Sequence, residues 1–210
     1  MRSKEIEEYK KGLTLKNIQR SILVGTLLGD GHLETQNNGR TYRLKIEHAL
    51  FQQEYVEWLH EQFKDWVRGG IYRKIKNGKE YIGFTTYSHA AFRFYAQQFY
   101  QEKNKHVPRL IGKMIDPLAL AVWFLDDGSW KSNKHRTFII HSVGFTKNDL
   151  LRLQDILKKK FGIEVNLHVQ KEKYWRMYIK TASAETFRKI VQPYIKKIPS
   201  MKYKLGNKNA

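Results

Sequence analysis

The chain has 210 residues and a mass of 25.0 kDa, with 39 Lys and Arg against 20 Asp and Glu, a formal charge of +19 and a pI near 9.9. Hydrophobic residues at 41% and aromatics at 13% suffice for a packed core and exclude wholesale disorder, and the length allows one large domain or two small ones. The absence of Cys excludes a disulfide scaffold, a thiolate zinc site and a cysteine nucleophile, while the longest apolar run, residues 118–125, is too short to span a bilayer.

In chain order, residues 1–11 carry three glutamates and no apolar stretch, which reads as neither a secretory signal nor a transit peptide. Residues 18–29 form an apolar helix that ends in Gly29-Asp30-Gly31. Residues 42–47 alternate apolar and charged side chains, giving a half-buried strand with Arg43 and Lys45 on its polar face. A helix is predicted over 52–66, followed by a hairpin around Asn77-Gly78. Lys79 and Glu80 point to a loop longer than two residues there. Pro108 and Pro117 bracket a linker at 105–116, dividing the chain into an N-terminal half (1–104) and a C-terminal half (117–210). The second half repeats the order: an apolar helix ending in Asp126-Asp127-Gly128, an amphipathic helix over 147–161, and alternating strands at 163–170 and 175–180. The two Asp-Gly endings lie 97 residues apart. Ser88-His-Ala-Ala-Phe92-Arg93 is echoed 95 residues on by Ser183-Ala-Glu-Thr-Phe187-Arg188, so the chain is a pseudo-repeat in which each half reads strand, strand, helix, strand, strand, helix after its first apolar helix.

So basic a chain calls for a polyanionic partner, DNA or RNA. An acidic membrane is disfavoured, because the cations are spread over strands and loops instead of lying along one amphipathic helix. The helix endings carry the chemistry. An Asp at a helix C-terminus adds a carboxylate to unsatisfied carbonyls and the negative end of the macrodipole, and the following Gly is expected to end the helix in the left-handed conformation. Two such ends side by side would place Asp30, Asp127 and the backbone carbonyls of Gly29 and Asp126 together as a hard-cation site suited to Mg²⁺, hence to phosphodiester chemistry. Gly25 and Gly29, one turn apart, allow a close helix approach. Val122 and Asp126 hold the matching places in the second copy, so Ala119 and Ala121 are expected to supply its small surface.

At this point the chain resembles the LAGLIDADG homing endonucleases in their single-chain, two-motif form. The first motif reads Leu23-Val24-Gly25-Thr26-Leu27-Leu28-Gly29-Asp30-Gly31 and the second Leu120-Ala121-Val122-Trp123-Phe124-Leu125-Asp126-Asp127-Gly128. Both depart from the consensus in the middle, and both keep the last acidic residue and its Gly. Lys105-His106-Val107-Pro108 and Pro199-Ser200-Met201-Lys202-Tyr203-Lys204-Leu205 resemble the segments that bring the family's active-site lysines, so the likeness covers about residues 17–205.

The resemblance implies an α/β (α+β) fold of two pseudo-symmetric αββαββα halves, with the motif helices at their interface and antiparallel sheets forming a DNA-binding saddle. It further implies a monomeric enzyme that cuts both DNA strands across the minor groove, leaving short 3′ overhangs, in the service of intron or intein mobility. The catalytic residues would be Asp30, Asp127, Lys105 and Lys204. The metal would be Mg²⁺, with Mn²⁺ able to substitute and Ca²⁺ able to bind without supporting cleavage. Double-stranded DNA is the expected partner and an intracellular setting the expected location, organelle or cytoplasm being left open.

DNA contacts are expected from Arg40, Arg43, Lys45, Lys74, Lys76, Lys131, Lys134, Arg136, Asn166, His168, Gln170, Arg176 and Lys180, since a merely soluble face would mix charge signs. Other readings are weaker. His48, His89, His135 and His141 match no metal-ligand spacing, and Gly70-Ile71-Tyr72 with Tyr81-Ile82-Gly83 reads as a hairpin more readily than as a GIY-YIG nuclease signature. The alternative function is a non-cleaving nucleic-acid binder, either a regulator or a maturase with host intron RNA as partner. It would have no need of both carboxylates and both lysines.

Overall fold

The computed structural model describes residues 4–102, 104–171 and 174–206. After a short amphipathic helix α1 (Lys4–Lys11), the first half runs α2 (Asn17–Leu28), β1 (His32–Glu34), β2 (Arg43–Ala49), α3 (Gln53–Phe63), β3 (Tyr72–Lys76), β4 (Lys79–Thr85) and α4 (Arg93–Phe99). A small ladder of β5 (Tyr100–Gln101) and β6 (Asn104–Lys105), then α5 (Ile111–Met114), leads into the second half. That half runs α6 (Pro117–Asp127), β7 (Gly128–Trp130), β8 (Phe138–Ile140), α7 (Lys147–Phe161), β9 (Val165–Gln170), β10 (Tyr174–Ile179) and α8 (Thr181–Ile195), and is closed by a 3-10 turn over Pro199–Leu205. The antiparallel sheets have matching orders, β1-β2-β4-β3 and β7-β8-β10-β9, so the internal repeat is a repeat of topology. Among the described residues no helix is long and apolar enough to cross a membrane.

Alternation sets the sheet faces. On β2, Leu44, Ile46 and His48 are buried while Arg43, Lys45 and Glu47 face outward. Phe92 and Phe187, the aromatic residues of the repeated Ser…Phe-Arg segment, are both fully buried. Phe187 meets Phe124 and Phe138 at 5.0 Å, which ties α8 to α6 and the second sheet. The Asn77-Gly78 loop is shorter than expected. Lys76 pairs with Lys79, leaving a two-residue turn in which Asn77 (φ 50°) and Gly78 (φ 71°) are both left-handed, the conformation that matches the twist of the flanking strands. Tyr72 lies opposite Gly83 in this hairpin, so the GIY and YIG triplets are ordinary strand sequence.

The two halves meet along α2 and α6, which are apolar almost all round and buried on nearly every side. A Cβ on Gly25 would lie 2.6 Å from both the Ala119 carbonyl oxygen and the Val122 Cβ, and a Cβ on Gly29 would lie 2.5 Å from the Asp126 Cβ and Oδ2. The seam is therefore asymmetric: the glycines of α2 are holes, and Val122 and Asp126 of α6 fill them. Of the two alanines expected to supply the small surface, Ala119 takes part through its backbone. At the opposite end Ser21 Oγ donates to Asp116 Oδ2 at 2.5 Å, and Asp116 Oδ1 caps α6 through the Ala119 N–H at 2.8 Å.

The glycines after the motif acids do not act as left-handed helix caps. Gly31 and Gly128 both lack a positive φ. Space is what they supply, because a Cβ on Gly31 would come within 2.8 Å of the Thr26 Cβ and one on Gly128 would strike the Phe124 ring at 1.9 Å.

Gly25→Val should lower the thermal unfolding midpoint by several degrees, since overpacking a tight seam costs roughly 1–3 kcal/mol. Scanning calorimetry checks this, and an unchanged midpoint would show that the seam can open at no cost.

Candidate active site

Both motif helices point their carbonyl ends at one place. α2 stops at Leu28. The Gly29 N–H still bonds back to the Gly25 and Thr26 carbonyls at 3.1 Å, so Asp30 lies just past the helix, with its side chain 52% exposed. α6 runs two residues further in the aligned motif, making Asp127 its last helical residue, and the Asp127 carbonyl accepts the His141 N–H at 3.0 Å. Between them the Asp126 side chain is wholly buried. Its Oδ2 accepts the Asp30 N–H at 3.0 Å and its Oδ1 accepts the Tyr55 hydroxyl at 2.7 Å.

Each helix end receives one lysine. Lys105 sits on β6, opposite Tyr100, and its Nζ donates to the Gly29 and Gly31 carbonyls at 2.8 and 2.6 Å. Lys204 lies in the closing 3-10 turn, which is anchored by buried Met201 and Leu205 and by the Ser200 N–H donating to Glu54 Oε2 at 2.7 Å. From there its Nζ reaches the Leu125 and Asp126 carbonyls. The two lysines are thus related by the same pseudo-repeat as the acids, and they meet the negative ends of the two helices.

Three carboxylates and two ammonium groups share a half-buried space, and their ionisation records the strain. Burial pushes the Asp127 carboxyl up to about 7, the Asp30 charge adds to this, and Lys105 and Lys204 pull it back. Burial and the Asp30 charge also raise Asp126 well above the carboxylate range. Both lysines are pulled down by burial and held up by the surrounding acids. Among the described residues no three His, Asp or Glu side chains converge into a metal cage. Mg²⁺ suits such an incomplete set, because it binds through one or two carboxylates and completes its shell with water and substrate phosphates. The Gly29 and Asp126 carbonyls expected as metal ligands each already accept a lysine, with one lone pair remaining.

Outside this cluster the sheets carry the predicted DNA-facing residues. By register, Arg43 and Lys45 share a face with Lys74 and Lys76. On the second sheet Asn166, His168, Gln170 and Arg176 share a face with Tyr178, and Lys131 lies 5.0 Å over the Tyr178 ring. Arg40, Lys134 and Arg136 are exposed in the β1–β2 and β7–β8 loops. Lys180 is set apart: it is the N-cap of α8 and pairs with Glu164 at 2.8 Å at the far end of β10.

The charge on the first sheet also differs from expectation. Glu34 accepts two bonds from Arg43, at 3.0 and 2.8 Å, and lies 3.3 Å from the Lys45 ammonium and 3.0 Å from His32, while Glu47 takes Lys74 at 2.6 Å. Burial would raise the Glu34 carboxyl, but the bonds from Arg43 and His32 and the charge of Lys45 outweigh it and hold the group at about 2. This face is mixed in sign, with three of its predicted DNA contacts tied to carboxylates.

Sequence reasoning missed Tyr55 and the side-chain role of Asp126, and it named two histidines of the site, His48 and His141, only to set them aside for want of a metal-ligand spacing. His48 lies 3.6 Å from Asp30 Oδ2 and 3.7 Å from Asp126 Oδ1, and His141, whose N–H bonds the Asp127 carbonyl, shares a 3.0 Å bond with Ser129. The alternation of β2 held a signal for His48, which falls in the buried register with Leu44 and Ile46. Tyr55, one of several aromatics on an amphipathic helix, offered none.

The sequence profile of the LAGLIDADG DNA endonuclease family matches residues 20–187. The "Probable intron-encoded endonuclease 1" of Wickerhamomyces canadensis is 33% identical over 214 residues, covering 97% of this chain and 90% of that protein. "Cytochrome b mRNA maturase bI2" of Saccharomyces cerevisiae is 30% identical over 206 residues, 89% of this chain but 47% of that longer protein. The solved structure of the homing endonuclease I-WcaI bound to its DNA recognition sequence superimposes with a TM-score of 0.86 at 31% identity, over 97% of this chain and 93% of that one. With two motif helices, two matching sheets and a profile match over most of its length, the chain belongs to the LAGLIDADG DNA endonuclease family.

Proposed function

We propose that this chain is a site-specific double-strand DNA endonuclease of the homing type, acting as a monomer, with Asp30 and Asp127 as metal-holding carboxylates and Lys105 and Lys204 beside the scissile phosphates. The observation that carries the reading is the convergence of these four side chains at one end of the α2–α6 seam, between two sheets bearing cationic and amide side chains. Asp30 and Asp127 would hold a divalent ion there, which would supply positive charge and Lewis acidity to phosphodiester hydrolysis. Lys105 and Lys204, already fixed on backbone carbonyls, meet the charge that develops on the phosphate as the bond breaks. The sheets hold the duplex by its phosphates and read base edges, so binding and cleavage reside on different elements.

The maturase relative favours a second reading, in which the same fold binds nucleic acid without cutting. Incubating the chain with Mg²⁺ and a plasmid library of randomised sites separates the two: linear product at a defined sequence supports the nuclease, and sequence-specific binding without product supports the binder.

Asp30→Asn and Asp127→Asn should each abolish linearisation while leaving specific binding in Ca²⁺ largely intact. Lys105→Met and Lys204→Met should slow cleavage by about 2–4 kcal/mol of transition-state stabilisation each. A gel assay resolving supercoiled, nicked and linear plasmid reads all four, and full linearisation by either Asp variant would refute a shared two-carboxylate site.

The Asp127 carboxyl titrates near 7 in the folded metal-free protein against 3.8 ordinarily, so between those values the folded state holds a proton that the unfolded chain has lost. Stability from this group is complete below about pH 4 and is lost as the pH rises through 7. Without metal, Asp127→Asn should therefore unfold at a higher temperature than the wild type at pH 8, with the gap narrowing towards pH 4 in thermal melts.

DNA affinity should fall steeply with salt, at a slope of log K against log salt of about −7 if on the order of eight phosphates are neutralised. Glu34→Gln frees Arg43 and Lys45 from their carboxylate and should tighten non-specific binding and steepen that slope by about 1 per cation that moves to a phosphate. Fluorescence anisotropy across a salt series gives both numbers, and a flat titration would contradict a cationic saddle.

A further inference from the structure

The buried Asp126 side chain has no part in the scheme above, yet both of its oxygens are engaged and it is wholly buried. Asp127 needs no outside help to hold its backbone, being the last residue of α6 and joined through its carbonyl to the N–H of His141, the residue after β8, at 3.0 Å. Asp30 is placed differently. The helix α2 has ended, Gly29 and Gly31 turn their N–H groups back onto Gly25 and Thr26, and the Asp30 N–H between them points out of the chain's own turn. Its acceptor is Asp126 Oδ2 at 3.0 Å, reaching across the seam into the space left by Gly29.

The other oxygen of that carboxylate is fixed as well. Tyr55 donates to Oδ1 at 2.7 Å from α3, where its fully buried ring lies 5.2 Å from His48 and 6.3 Å from Trp58. The His48 ring fills the remaining side, 3.6 Å from Asp30 Oδ2 and 3.7 Å from Asp126 Oδ1, and its Nε2 has no hydrogen-bond partner. With both oxygens engaged across the seam and its side chain wholly buried, the Asp126 carboxylate is aimed at this positioning task and away from the open side of the site. The first motif has Gly29 at the matching place, so the device exists for one acid of the pair.

We propose that Asp126, locked by Tyr55 and flanked by His48, is a positioning residue that fixes the backbone of Asp30 and thereby the direction in which the Asp30 carboxylate meets its metal. This rests on the nuclease reading for its consequence, but the bracket itself is a property of the metal-free protein and is measurable there.

The test combines hydrogen exchange of the Asp30 amide, followed by ¹⁵N NMR in the metal-free protein, with a Mg²⁺ titration of single-turnover cleavage and DNA affinity in Ca²⁺. Asp126→Ala should speed Asp30 exchange about 10-fold or more and raise the Mg²⁺ concentration for half-maximal cleavage by a similar factor, as loss of an outer support of a metal ligand does, with DNA affinity nearly unchanged. Asp126→Asn should recover most of both, because the amide oxygen can accept the Asp30 N–H while its NH₂ donates to the Tyr55 oxygen. Tyr55→Phe keeps the acceptor but frees it to turn, so it should show a smaller shift in the same direction, and it carries the test should Asp126→Ala fail to fold.

Wild-type Asp30 exchange in Asp126→Ala, or in Tyr55→Phe when that variant stands in for it, overturns the proposal. A lower cleavage amplitude with an unmoved Mg²⁺ curve does the same, since it marks a purely structural role. Should the wild type cut no DNA, the nuclease reading fails, and the exchange measurement still decides whether Asp126 holds Asp30.

Discussion

Everything at the candidate site depends on how closely α2 and α6 approach. Gly25 and Gly29 remove side chains where Ala119, Val122 and Asp126 press in, at separations that no Cβ could share. Without that contact the two carbonyl ends would diverge, and Asp30 and Asp127 would be separate surface acids. The seam converts two helix termini into one electronegative pocket, and the pseudo-repeat supplies a lysine to each end. Its asymmetry matters as much as its closeness. A symmetric small-on-small contact would have left no room in which to place the third carboxylate, whereas the hole at Gly29 holds Asp126.

Gathering Asp30, Asp126 and Asp127 in a half-buried pocket is costly, and the fold offsets the cost in two ways. Lys105 and Lys204 are themselves desolvated and are held by backbone carbonyls, so each remains close enough to counter the acids without forming a tight ion pair that would occupy them. Protonation is the other relief, expressed in the raised Asp127 and Asp126 carboxyls. Under the proposed function, a divalent cation would answer the same excess of negative charge. On the first sheet the logic is reversed. Glu34 and Glu47 tie up Arg43, Lys45 and Lys74, so a chain with a formal charge of +19 keeps part of the sheet face proposed to meet DNA internally paired, with its guanidinium and ammonium groups held in defined directions.

Much of this was legible in the sequence because it follows periodic rules. Alternation placed β2, β9 and β10 and their polar faces, apolar runs closed by Asp-Gly marked both seam helices, and the spacing of those endings exposed the repeat. What stayed hidden depends on contacts between halves. The direction of the Asp126 side chain is decided by the missing side chain at Gly29, almost a hundred residues away, and Tyr55 reaches the site only because α3 packs beneath β2. Gly31 and Gly128 were misread because a glycine after a helix suggests a left-handed cap, whereas here the crowding of Thr26 and Phe124 sets the requirement. The Asn77-Gly78 turn was misread in the other direction: charged Lys79 and Glu80 looked like loop but pair as strand, since an exposed hairpin tip tolerates charge. Glu34 and Glu47 escaped notice because a tally of cations on a face omits the anions interleaved with them.

The central claim is that the α2–α6 seam makes one metal-dependent site from two repeat copies. Its most direct test is anomalous diffraction from Mn²⁺ in crystals of the chain bound to a DNA duplex that it selects from a randomised library. Mn²⁺ peaks are expected at the Asp30 and Asp127 carboxylates and the adjoining phosphates, with the Asp126 side chain still turned into the seam. Peaks centred on His48 and His141, or on the Asp126 carboxylate in place of Asp30 and Asp127, would contradict that claim.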